Sequence, residues 1–193
     1  MQFLCLLLIL LLPGEAAAHV GVHGPSGLSG GLLHPFSGVD HILAMLAVGI
    51  WGGWQGGRHQ WLIPAGFVAA AAAGFLLGIG GGALFGVIEQ GIALSLVGLG
   101  ALLFFRARLT LAVGLPLVAL FGLFHGLAHG SEVAMDAGVW LFMTGFLSAT
   151  LALHLIGLFI GGSVMSAKPL TLRIGGAAIA MTGVMLVVLP GIA

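Results

Sequence analysis

The sequence predicts an all-α, polytopic membrane protein: six transmembrane helices following a cleaved signal peptide. Three observations carry that prediction. Of 193 residues, 60% are hydrophobic and 5% are charged, whereas a soluble domain carries about 25% charged residues, so the chain has too little polar surface to face water. Six apolar runs follow one another, each long enough at about 1.5 Å per residue to cross a hydrocarbon core about 30 Å thick. The N-terminus has the layout of an export leader. The 35 glycines fit the same class, because small residues let membrane helices approach closely.

The leader occupies residues 1–18. Phe3 to Leu12 is an apolar stretch too short to span. Pro13-Gly14-Glu15 interrupts it, and Ala16-Ala17-Ala18 supplies a small-residue cleavage site. Met1-Gln2 lacks the usual Lys or Arg, leaving only the terminal amine. Cleavage after Ala18 makes His19 the first mature residue, and residues 19–31 form a short, glycine-rich external segment. Cys5, in the leader, is the single cysteine, so no disulfide or thiolate metal site is available to the rest.

Residues 32–193 form the transmembrane domain, with apolar segments at about 32–54, 61–80, 83–105, 111–129, 133–160 and 172–189. Backbone groups in lipid must bond internally, so each segment reads as a helix. The fifth is long enough to tilt or to begin outside the bilayer. Arg58, Arg106, Arg108, Lys168 and Arg173 all fall in or beside the odd-numbered loops, which the positive-inside rule makes cytoplasmic. Both mature termini are then periplasmic, in a bacterial inner membrane. The acids of the mature chain, Asp40, Glu89, Glu132 and Asp136, lie toward the opposite side and favour cations there. No basic run exists, which removes nucleic acid as a partner. No Walker motif exists, so the chain is not an ATP-driven pump on its own.

Two stretches place ionisable groups within apolar runs, where they are costly and mark function. In His34-Pro35-Phe36-Ser37-Gly38-Val39-Asp40-His41, the seven-residue spacing puts His34 and His41 on one helix face, with Asp40 on the flank. Pro35 and Gly38 weaken the helical ladder and free carbonyls for a polar path. In Phe124 to Glu132, His125, His129 and Glu132 fall at i, i+4 and i+7 and make one stripe if the helix persists. A three-plus-three inverted repeat would put the two clusters in equivalent positions. Imidazole with carboxylate suits Ni²⁺, Co²⁺, Cu²⁺ and Zn²⁺. The ordinary reading of a lone membrane histidine is an interhelical hydrogen bond. That reading serves His59 and His154, although Glu89 and His154 also stand as candidates for a secondary path.

These stretches resemble the HupE/UreJ family of nickel permeases. The family's H-P-x-x-G-x-D-H pattern is met by His34, Pro35, Gly38, Asp40 and His41, and its F-H-G-x-A-H-G-x-E pattern by Phe124, His125, Gly126, Ala128, His129, Gly130 and Glu132. The similarity spans essentially the whole chain. It implies uptake of Ni²⁺, or of Co²⁺, as a transported substrate with no permanently bound cofactor. It also implies delivery to hydrogenase or urease assembly through cytoplasmic nickel chaperones. A homo-oligomer is compatible with the sequence.

The residues alone leave two alternatives open. An intramembrane zinc hydrolase can be drawn from the histidines with Asp40 and Ser37, although no general base or oxyanion stabiliser can be assigned. A haem-binding subunit can be drawn from paired histidines. At the mature N-terminus, the α-amine and imidazole of His19, with His23, can chelate a metal outside and pass it to the helices.

Overall fold

The computed structural model describes residues 27–79, 85–133, 138–165 and 169–189; the leader, His19, His23, Asp136 and Lys168 lie outside the described residues. Helix α1 (Gly27–Leu33) runs into a 3-10 turn, His34–Phe36, and α2 (Val39–Gln55) leaves that turn at an angle of 80°. Then come α3 (His59–Gly78), α4 (Phe85–Phe104), α5 (Leu111–Glu132), α6 (Val139–Phe159) with a π-helical continuation over Ile160–Met165, and α7 (Pro169–Val188). Helices α3 to α7 are long and apolar enough to cross a membrane, giving five spans, or six when the bent α1–α2 pair counts as one. The described regular structure is entirely helical.

The first apolar segment departs from the expected single helix. It begins earlier, at Gly27, and breaks at Ser37-Gly38. The cause is local. Pro35 occupies the start of the 3-10 turn, and the backbone N–H and hydroxyl of Ser37 both donate to the His34 carbonyl, at 3.0 and 2.6 Å. Gly38 is then extended, at φ −111° and ψ 127°, and starts α2 in a new direction. His34 and His41 therefore do not share a helix face, and Asp40 lies in the first turn of α2 rather than part-way down a helix. The fourth segment runs past residue 129 to Glu132, the fifth begins at Val139, and the sixth at Pro169.

Glycine seams set how the helices pair. Gly74, Gly78, Gly122, Gly126 and Gly130 bring α3 and α5 into backbone contact. Gly31, Gly49, Gly53, Gly145, Gly157 and Gly161 do the same between the first span and α6, and Gly100, Gly176 and Gly183 between α4 and α7. At several of these sites a Cβ would overlap a carbonyl of the facing helix, which is the small-residue packing expected where lipid offers no hydrophobic drive.

Helices α2 and α5 run antiparallel. The start of α2 meets the end of α5 through His41 and His125, and Trp51 near the end of α2 meets Gly114 near the start of α5. The two polar stretches consequently meet at one end of the bundle although one opens its helix and the other closes its own. The antiparallel arrangement brings them together.

Candidate metal centre

Helix α5 has two working faces. Its glycines fit against Phe67, Ala71 and Phe75 of α3. About 100° round the helix from each of Gly126 and Gly130, His125 and His129 turn into the interior, 0% and 2% exposed. Their depth follows from the seam, because only glycine lets α5 lie so close to α3.

The mouth is built by His34, His129 and Glu132. His34 Nε2 and His129 Nδ1 are hydrogen-bonded at 2.8 Å. Glu132 Oε2 is 3.2 Å from His34 Nε2 and 3.6 Å from His129 Nδ1. These three side chains can each turn one ligand atom into a group whose members all lie within 4.8 Å of one another, and it is the one such group of three or more among the described residues. The bend at Ser37-Gly38 permits this, because it swings His34 back over the end of α5.

His41 and His125 form a second layer. Asp40 Oδ1 accepts the backbone N–H of His41 at 2.9 Å and the ring Nδ1–H at 2.8 Å. Because a carboxylate only accepts, Nδ1 of His41 holds the proton and Nε2 carries the lone pair. His125 Nδ1 donates to the Phe121 carbonyl at 2.9 Å, which fixes the same tautomer. Among the described residues, the Nε2 atoms of His41, His125 and His129 are all buried without a partner. A buried imidazole nitrogen whose other nitrogen is fixed by a carboxylate or carbonyl is the usual state of a metal-binding histidine. The His41 ring lies 4.5 Å from that of His129 and 5.3 Å from that of His125, centroid to centroid.

The walls are aromatic. Phe142 lies 5.3 Å from His34, Phe146 lies 4.4 Å from His129, and Phe67 lies 5.3 Å from His125. Phe75 stacks on both Phe142 and Phe146. The sequence offers no signal for these wall residues, since phenylalanine is common throughout an apolar chain.

All six predicted residues of the two stretches come together, but not in the expected partnership. His34 joins His129 and Glu132 rather than His41, and Asp40 supports His41. Glu89 sits on an exposed face of α4 and does not belong to the three-residue group. His59 begins α3 and hydrogen-bonds to the loop before α5 rather than to a helix, its Nε2–H donating to the Leu109 carbonyl at 3.1 Å. For His154, neither ring nitrogen has a hydrogen-bond partner of ordinary geometry among the described residues.

The HupE / UreJ protein family model matches residues 7–186. The chain belongs to the HupE/UreJ family. It is similar to Protein HupE of Rhizobium leguminosarum bv. viciae, with 41% identity over 180 residues, covering 93% of each chain. No solved structure matches it. Membership attaches the chain to the hydrogenase and urease accessory proteins, and the patterns that carry the resemblance are the ones that converge here.

Proposed function

We propose that the protein is a secondary permease that carries Ni²⁺, or Co²⁺, across the bacterial inner membrane to supply hydrogenase or urease assembly. The observation that carries this reading is the layered donor set at one end of the bundle. His34, His129 and Glu132 form an outer ligand group, and the free Nε2 atoms of His41 and His125 lie just beneath it. With neutral imidazoles, Asp40 and Glu132 give the cluster two negative charges, which a divalent cation balances. Nitrogen and oxygen donors without thiolate suit Ni²⁺ and Co²⁺ over soft ions. A stack of partial sites, rather than one closed cage, allows an ion to arrive and also to leave.

Orientation follows from charge. Arg58, Arg106, Arg108 and Arg173 gather at the end of the bundle away from Glu132, so that end faces the cytoplasm and both mature termini face the periplasm. In the same reading a leader is removed after Ala18, and His19 with His23 captures Ni²⁺ outside. Cytoplasmic chaperones take it inside. The pairing of first span with fifth, second with fourth and third with sixth is unchanged when the two halves exchange places, which supports a three-plus-three repeat in the helix packing.

The alternatives find less support. Ser37 is exposed, with its hydroxyl on the His34 carbonyl of its own turn, which takes it out of the buried histidine set that the hydrolase reading draws on. The imidazoles lie in ring contact with one another and with phenylalanines, where a haem needs an open slot between two of them.

The test is uptake of radiolabelled Ni²⁺ into cells expressing the chain, with Co²⁺ and Zn²⁺ as competitors. His34→Ala, His129→Ala and Glu132→Ala each lower uptake by at least about tenfold while the protein still inserts. Normal uptake by both His129→Ala and Glu132→Ala removes the reading.

A further inference from the structure

Below the site, on the face of α6 turned into the bundle, lies a second polar pair. Thr150 and His154 are four residues apart, hence on one helix face, and both are 0% exposed. Neither side chain makes a hydrogen bond of ordinary geometry among the described residues. A helical threonine or serine commonly donates to the carbonyl one turn back. Thr144, Ser148 and Thr182 do so, to Trp140, Thr144 and Ala178, at 2.8, 2.7 and 3.1 Å. Thr150 Oγ1 makes no such bond. Among the described residues neither ring nitrogen of His154 has a hydrogen-bond partner of ordinary geometry, although the Thr150 carbonyl one turn back is near enough to attract a ring N–H. Buried polar groups are nearly always partnered, so an unpartnered neighbouring pair calls for a reason.

Its position supplies one. The His154 backbone packs against Gly49, eight residues beyond His41 along α2 and so about 12 Å deeper into the bundle. A single ring connects it to the site above. Phe67 lies 5.3 Å from His125 and 5.0 Å from His154, centroid to centroid, touching both imidazoles. The imidazoles thus form a file from the mouth inward: His34, His129, His41, His125 and, across Phe67, His154.

We infer that His154, with the hydroxyl of Thr150, is a second, deeper binding station for a divalent metal cation, receiving it from His125 on the way to the far end of the bundle. This rests on the permease reading and extends it. One nitrogen and one hydroxyl oxygen make a poor cage, and that suits a transfer station, which must hold an ion briefly and release it. A ring N–H turned toward the Thr150 carbonyl one turn back would leave the other nitrogen's lone pair for the ion, as the Phe121 carbonyl does for His125.

Two measurements test this on the full-length protein in parallel. The first is Ni²⁺ uptake by His154→Phe, which keeps an aromatic ring of similar volume but removes the ligand. Uptake at saturating Ni²⁺ is expected to fall by about tenfold, with the half-saturating concentration changed less than about twofold because the mouth is intact. His154→Phe transporting like the parent overturns the inference. The second measurement does not depend on transport. His154→Cys is made with Cys5→Ser, so that residue 154 carries the single thiol, and the purified protein is titrated with Co²⁺ under reducing conditions. A thiolate-to-cobalt charge-transfer band in the near ultraviolet, missing from Cys5→Ser alone, shows that metal reaches position 154. Lack of that band overturns the inference, whatever uptake does. If the parent protein fails to transport Ni²⁺, the permease reading fails, and the cobalt band alone decides whether a metal station exists at this depth.

Discussion

The two ends of α2 make opposite use of polar groups. At its start, the chain breaks at Gly38, no side chain caps the helix, and the histidines keep a nitrogen free. At its end, polar groups close onto a neighbouring loop. Trp51 Nε1–H donates to the Ala107 carbonyl at 2.9 Å, and the Leu109 N–H donates to Gln55 Oε1 at 3.1 Å. His59 holds the Leu109 carbonyl, while Arg106 and Arg108 lie 5.7 and 4.9 Å over the Trp54 ring. One end of the helix is tied to the loop, with the Gln55 amide nitrogen left over, and the other leaves several imidazole nitrogens for something else. Two histidines illustrate the contrast. His59 and His125 each give one N–H to a backbone carbonyl, but His59 is half-buried at a helix start, whereas the second nitrogen of His125 is buried with nothing to bond. Being bonded at one nitrogen therefore does not distinguish a structural histidine from a ligand; the environment of the other nitrogen does.

Substitutions at the two ends should differ in size and kind. The largest effect is expected from Asp40→Asn, which weakens the fixing of the His41 tautomer without removing a mouth ligand. Loss of such a supporting carboxylate costs about 10–100-fold in metal affinity, so Ni²⁺ binding by the purified protein should weaken by that order. Unchanged binding would mean that His41 needs no orientation from Asp40.

Gly38→Ala should come next. The backbone at Gly38 is open to alanine, so strain is not the issue. The new Cβ would lie 2.5 Å from Asp40 Oδ1 and 2.8 Å from His41 Nδ1, pushing apart the pair that orients the ring. Uptake should fall by about tenfold with normal insertion. Full uptake would show that the break tolerates bulk, and that the Asp40–His41 geometry is not critical.

The smallest effects belong to the tied end. Trp51→Phe removes one hydrogen bond, worth about 1 kcal/mol, leaves a void beside Gly114 where the buried indole was, and should lower the thermal midpoint of the detergent-solubilised protein while changing uptake by less than about twofold. His59→Ala should behave similarly. A large loss of uptake from either, with stability intact, would make the loop latch part of the transport cycle and erase the contrast between the ends.

Much of this was legible in the residues. Six apolar runs, the one-sided placement of Arg and of the acids, and the i, i+4, i+7 stripe of His125, His129 and Glu132 follow from composition and helical period, because hydrocarbon tolerates few backbone solutions. The break at Pro35 and Gly38 was legible as a weakness but not as an 80° turn, since a proline and a glycine say that a helix falters and not where the chain goes next.

What the tertiary structure alone decided is which groups meet. His34 pairs with His129 and Glu132, from a helix many residues away, because the bend folds it over the end of α5. Phe67, Phe142 and Phe146 wall the site because glycine seams set which faces of α3 and α6 point inward. His154 reads in the sequence either as an interhelical hydrogen-bonder or as part of a secondary path, and only the packing shows that, among the described residues, its ring has no interhelical partner. The physical reason is one of range. Helical periodicity couples residues three or four apart, whereas contact between helices depends on how closely two backbones approach and at what register, which no single helix encodes.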